Sequence, residues 1–194
     1  MTLLIRLAAP LQSWGSDSKF DTRRTEREPT KSGVIGLCAC ALGRKRTESI
    51  EDLASLRFGV RTDNPGELLV DFQIGKTAKD PFLSHRHYLS DASFTAALEG
   101  NEELLREIDA ALRSPEYPLF LGRRSCPPTL PITRGLTDQP LESALCDGSG
   151  KVVLIDSVSV TALRRRDAPI SYSQARREYA IRSIQEVDNV PHSN

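Results

Sequence analysis

The chain has no net charge. Its 26 Lys and Arg residues are matched by 26 Asp and Glu, so total charge gives no support to nucleic-acid binding. Cysteine is scarce and unpatterned. Cys38, Cys40, Cys126 and Cys146 form no Cys-x-x-Cys pair, and Cys38 and Cys40 point to different sides of the helix that the surrounding residues predict. Neither a zinc site nor a disulfide framework is expected, and free buried thiols in a reducing cytoplasm account for all four. No stretch approaches the ~20 apolar residues of a membrane span. The N-terminus has no basic region followed by a long apolar run, so neither a signal peptide nor a membrane partner is expected. The Gly-x4-Gly-Lys spacing of a Walker loop is missing, which argues against ATP hydrolysis. No cofactor is expected. There is no internal repeat at a fixed period and no low-complexity tract.

What is present is a folding chain of ordinary composition, 194 residues long with 39% hydrophobic residues, enough for one sizeable core. Its charge is segregated. Basic residues cluster at Arg23-Arg24, Arg44-Lys45-Arg46, His85-Arg86-His87, Arg123-Arg124 and Arg164-Arg165-Arg166, while Glu99, Glu102, Glu103, Glu107 and Asp109 gather elsewhere. A neutral protein arranged this way can still carry a phosphate-binding face. The plainer reading of each basic run is a solvated surface.

Alternation of apolar residues predicts strands over 2–8, 56–62, 68–74 and 87–98, and Val/Ile enrichment predicts another over 151–160, with a last strand over 179–184. An apolar, small-residue-rich helix is expected over 32–42, ended by Gly43, and a short one over 51–56. An acidic amphipathic helix is expected over 101–113, capped by Asn101 or Gly100 and stopped at Ser114-Pro115. Residues 75–84 are polar and read as a mobile loop. The order β-α-β-β-α-β is that of a ferredoxin-like α+β core, a fold that hosts RNA recognition among many other functions.

Four constellations carry chemistry. Thr30-Lys31-Ser32-Gly33 opens the first helix, where backbone N–H groups, two hydroxyls and an ammonium could meet an anion; it could equally be a helix cap. Gly122-Arg123-Arg124-Ser125-Cys126-Pro127-Pro128 sets two adjacent guanidinium groups in a stiff loop suited to phosphate. The alternative is an Arg pair bridging to the acidic helix. His85-Arg86-His87-Tyr88 has the residue types for general acid–base cleavage of RNA, yet a second proton-transfer partner is not apparent. Gln12-Ser13-Trp14-Gly15 holds the one tryptophan, which could stack a base but is more simply core.

Leu11-Gln12-Ser13-Trp14-Gly15, Pro29-Thr30-Lys31-Ser32-Gly33-Val34-Ile35-Gly36-Leu37, Tyr88-Leu89-Ser90-Asp91-Ala92-Ser93-Phe94 and Leu121-Gly122-Arg123-Arg124-Ser125-Cys126-Pro127 occur in this order. Together they resemble the CasD family, RAMP-type subunits of type I-E CRISPR Cascade complexes that hold the 5′ handle of crRNA. The resemblance implies a single RRM-like RAMP domain over 1–194. It would carry an inserted thumb over 69–86, and a Gly/Pro-rich loop followed by C-terminal strands, a β extension, over 117–184. It implies a non-catalytic cytoplasmic subunit that contacts crRNA, the backbone and large subunits of the complex, and target DNA near the guide duplex. The alternative is metal-independent cleavage of precursor crRNA, as in the related type I-C protein. Phosphate contacts are expected from Lys31, Ser32, Arg123 and Arg124, with Arg24 and Arg86 in support. Gln12, Trp14, Thr30, Gly33, His87, Tyr88 and Ser125 complete the expected RNA-facing set.

Overall fold

Leu3, Ile5 and Leu7 are wholly buried on one face of the first strand, β1 (Thr2–Ala8), and the rest of the chain is arranged around that face. The computed structural model describes residues 1–15, 18–19, 22–76, 81–147, 149, 151–159 and 161–189. After β1 come β2 (Leu11–Gln12), β3 (Ser18–Lys19), β4 (Thr22–Arg23), α1 (Lys31–Ala41), α2 (Glu51–Ser55), β5 (Arg57–Asn64), β6 (Glu67–Lys76), β7 (Pro81–Ser90), β8 (Ser93–Glu99) and α3 (Glu102–Arg113). The C-terminal part adds β9 (Thr133–Thr137), α4 (Leu141–Leu145), β10 (Val153–Asp156), β11 (Leu163–Ser171) and β12 (Glu178–Val187). The result is an α+β protein whose sheets are mostly antiparallel.

The main sheet has the order β11-β12-β10-β5-β8-β1-β9. Its core face sets Leu3, Ile5 and Leu7 beside Phe94, Ala96 and Leu98 of β8 and Phe58 and Val60 of β5, under α1 and α3. Period-2 alternation brings Ala97, Val153 and Ile155 to the opposite face, where Leu141 and Leu145 of α4 cover them. The helix α1 buries Val34, Ile35, Leu37, Cys38, Ala39 and Ala41, as an all-round apolar helix must. Thr30 caps α1, its Oγ1 accepting from Gly33 N at 3.2 Å, and Asn101 caps α3 by accepting from Leu104 N at 2.9 Å.

The structure departs from the sequence reading in three places. The strand expected over 87–98 is two strands: Asp91 takes a left-handed φ of 54°, which Asp tolerates better than most residues, and the chain changes sheet there. The expected mobile loop over 75–84 is a paired hairpin for its described residues. β6 and β7 form a continuous antiparallel ladder from Glu67↔Ser90 to Lys76↔Pro81, and residues 77–80 lie outside the described residues. On its other edge β7 pairs with β2 and, in parallel, with β4. Third, the short strands β2, β3 and β4, and β9, α4 and β11, have no counterpart in the expected element order. Among the described residues no helix is long and apolar enough to cross a membrane.

Candidate nucleic-acid interface

The loop after α3 folds onto itself. Leu121 N donates to Cys126 O at 2.8 Å and Cys126 N to Arg123 O at 2.9 Å, with Leu121 and Cys126 buried as its two feet. Burial raises the Cys126 thiol pKa, which fits a structural role. Gly122 has φ 84°, and a Cβ there would stand 1.6 Å from Ser13 O. Only glycine permits this approach of the loop to the segment after β2, where Ser13 N donates to Leu121 O at 3.2 Å.

At the tip, the Arg123 guanidinium stacks over the Tyr88 ring at 4.6 Å, and its Nη2 donates to Arg23 O at 2.8 Å. Its Nη1 is enclosed without a partner, so this held cation has donor capacity to spare. Burial pushes the Tyr88 phenol pKa up, but hydrogen bonds with Ser125 and Arg123 outweigh it and leave the phenol below its usual value. Arg124 is exposed; burial raises the pKa of the Cys40 thiol on α1, and the Arg124 charge offsets part of that rise.

The loop and the start of α1 divide two clefts. The first, ≈ 680 Å³, lies between Ser13-Trp14-Gly15, Thr30, Ser32, Gly33 and the Arg123 side of the loop, and is closed by Tyr172 and Tyr179 of the C-terminal strands and their connection. Four arginines line it: Arg23, Arg123, Arg166 and Arg177. The second, ≈ 920 Å³, lies on the Arg124 side and adds Arg44, Lys45 and Arg46. Among the described residues, no Asp or Glu lines either cleft. In a chain of zero net charge, that one-sided lining makes a strong local positive potential.

The residues expected from sequence are distributed unevenly. Ser32, Gly33, Thr30, Arg123 and Trp14 line the first cleft, and Arg124 the second. Lys31 is not the free cation that the sequence reading expected. It is buried, and its Nζ donates to Asp156 Oδ2 at 3.0 Å. The start of α1 also already holds an anion: Asp167 Oδ2 accepts from Lys31 N at 2.9 Å. Asp167 and Asp156 are bound in turn by Arg182, with Nε to Asp167 Oδ1 at 2.5 Å and Nη1 to Asp156 Oδ1 at 2.6 Å. Burial disfavours the Arg182 cation, but its interactions with Asp167 and Asp156 together outweigh burial and raise its pKa. This four-residue ionic lock fastens β10, β11 and β12 to α1.

Gln12 and Trp14 are core. Trp14 Nε1 donates to Gln12 Oε1 at 3.1 Å, and Gln12 Nε2 donates to Leu7 O and Ala92 O. The Trp14 ring lies so close to Gly33 that a Cβ there would be 2.8 Å from Trp14 Cε3. Tyr88 is buried beneath Arg123 and offers no open stacking face. Arg24 and Ser125 are exposed but line neither cleft. Arg86, His85 and His87 sit on β7 outside both clefts; Ser13 Oγ donates to His87 O, and His85 meets Phe72 edge-on at 4.9 Å.

Sequence reasoning missed Arg166, Arg177, Tyr172 and Tyr179. They come from β11, β12 and the residues between, which fold back over α1. Tyr172 OH donates to Ser32 O at 2.5 Å, and burial raises its pKa far above the usual phenol value. The run Arg164-Arg165-Arg166 was the available signal, and it is split by the strand: Arg165 pairs with Glu28, and Arg166 faces the cleft.

The chain is similar to known proteins over most of its length. The family model described as "CRISPR-associated protein (Cas_Cas5)" matches residues 2–185. The CRISPR system Cascade subunit CasD of Escherichia coli (strain K12) is 36% identical over 159 residues, covering 69% of this chain and 70% of its own length. A solved structure described as a Cas protein superposes with TM-score 0.80 at 40% identity, covering 100% of this chain and 99% of that one. A chain of a CRISPR RNA-guided surveillance complex gives TM-score 0.86 at 30% identity, covering 99% and 92%.

Proposed function

Because the chain belongs to the CRISPR-associated Cas5 family, as a Cascade subunit of the CasD type, we propose that its basic clefts hold the 5′ handle of crRNA as a single strand. The observation that carries this reading is the lining itself, with four arginines in the first cleft, further basic residues in the second and, among the described residues, no carboxylate in either. Phosphates dominate the affinity of such surfaces, and splayed bases rest against aromatic faces. In the first cleft Arg123, Arg166 and Arg177 take phosphates, Ser32 and Thr30 supply hydroxyls, and Tyr179 offers a ring.

The remaining assignments follow the same reading. The strand order β5-β8-β1-β9 under α1 and α3 supports a ferredoxin-like RAMP core, with β10, β11 and β12 as its C-terminal extension. The β6/β7 hairpin is the thumb. It exposes Val70, Phe72, Ile74 and Leu83, apolar surface that fits neighbouring subunits or the guide–target duplex. The subunit binds RNA without cutting it: His85 and His87 stand outside the clefts, away from any strand held there.

The test is binding of 5′-labelled repeat RNA by the full chain in EDTA. Arg123→Ala/Arg124→Ala should weaken binding on the order of tenfold and lower the salt slope by about 1.4 if each arginine meets one phosphate. Unchanged affinity and slope would refute the binding role. Site-specific cleavage abolished by His85→Ala or His87→Ala would refute the non-catalytic one.

A further inference from the structure

The run Arg44-Lys45-Arg46 has no part in the first cleft, yet it lines the second. We propose that the bound RNA does not stop in the first cleft but crosses a saddle made by Gly33 and Gly122 and continues into the second, so that Arg123 and Arg124 grip phosphates on opposite sides of the divide. This rests on the RNA-binding reading above and adds a second subsite to it, one that takes a single-stranded nucleotide segment.

Three observations support the crossing. Gly33, Gly122, Tyr172 and Tyr179 line both clefts, so the two are one groove pinched at its middle. The pinch also carries Ser32 and Arg177, which line both clefts and offer a hydroxyl and a guanidinium to a phosphate crossing it. The two arginines also face apart. Arg123 lies over Tyr88, binds Arg23 O and lines only the first cleft, whereas Arg124 lines only the second.

The second subsite has the two parts a single strand needs. Lys45, Arg46 and Arg124 are exposed cations for phosphate, and Tyr117 and Phe120 are rings for bases. Arg44 is not one of these free cations. Its Nη1 and Nη2 clamp Asp52 at 2.6 and 2.5 Å, and Nη1 also donates to Ser49 O, so it shapes the turn after α1.

The test is nuclease protection and salt-dependent binding with the full chain and 5′-labelled RNA of the repeat from its own CRISPR array. Lys45→Ala/Arg46→Ala/Arg124→Ala changes only exposed side chains. It should weaken binding on the order of tenfold, lower the salt slope by about 2 and shorten the protected segment at one end. Tyr117→Ala should shorten the segment at that end without changing the slope. Arg123→Ala should weaken binding while leaving protection at that end. A wild-type footprint and slope for the triple variant, alongside weakened binding by Arg123→Ala, would overturn the second subsite and leave the handle reading standing. So would unchanged RNA binding with loss of a neighbouring protein subunit, because the second cleft would then be a protein contact. No RNA binding by the wild-type chain, or none that depends on Arg123, would remove the handle reading itself.

Discussion

The ionic lock among Lys31, Asp156, Arg182 and Asp167 gives the sharpest prediction about stability. Asp167 is 1% exposed and accepts from Arg182 Nε, Arg182 Nη2 and Lys31 N at 2.5, 2.9 and 2.9 Å. Asp167→Ala leaves two cations facing one carboxylate and strips an acceptor from the first turn of α1. Removing one partner of a buried pair costs about 3–5 kcal/mol, a large share of the ~5–15 kcal/mol that holds a domain folded. For a chain of this length the melting temperature should fall by about 6–20 °C, and the urea midpoint should drop without a change in slope. The companion Asp167→Leu/Arg182→Met removes one charge of each sign and keeps the Lys31–Asp156 pair. It should lie closer to wild type than the single change does. A loss below about 1 kcal/mol for Asp167→Ala, or a double variant less stable than the single, would refute the lock as described.

Three further outcomes are expected. Gly122→Ala, which meets both φ 84° and the 1.6 Å approach to Ser13 O, should cost about 1–3 kcal/mol and weaken repeat-RNA binding in the same assay; no change in either would mean the loop is held differently. Hydrogen bonds with Ser149, helped by Asn189 and Arg61 and opposed by burial, hold the Asp147 carboxyl at about 2, below the usual ~3.9. Its stabilisation is therefore complete above the ordinary carboxylate value and is lost as pH falls toward about 2. Asp147→Asn should flatten the acid limb of a urea-midpoint-against-pH curve, and an unaltered limb would show that the carboxylate is not engaged. Phe72→Ser/Ile74→Ser, on the exposed face of the hairpin, should shift stability by no more than about 0.5 kcal/mol but reduce copurification with the other Cascade subunits; undiminished copurification would count against a docking role.

The parts legible in the sequence are those where local pattern and burial agree. Leu3, Ile5 and Leu7 alternate because one face of β1 is buried, and Leu105, Ile108 and Leu112 repeat because α3 lies on that face. β11 was hidden because it breaks the usual signals: it opens with Arg164-Arg165-Arg166, contains Pro169 and shifts register twice. Proline is tolerated there because β11 is the edge of the sheet. The hairpin was half legible. Its first strand contains the stretch expected over 68–74, but β7 from Pro81 to His87 buries Ser84 and no apolar residue, so buried-face alternation had nothing to mark there. At the site, Arg123 and Arg124 were readable from the stiff loop. Lys31 was not, since its partner Asp156 is 125 residues away, and Arg166 and Arg177 reach the cleft only through the fold-back of β11 and β12.

The arginine-lined groove has a consequence for how this molecule meets a polyanion. With 26 charges of each sign it feels almost no net pull at long range, yet the separation of those charges makes it a dipole. A dipole near a line of phosphates experiences a torque, and it turns before it is drawn in. The subunit is therefore oriented, groove first, more than it is attracted, and within a Debye length of ~10 Å the wrong face is repelled while the right one is already aligned.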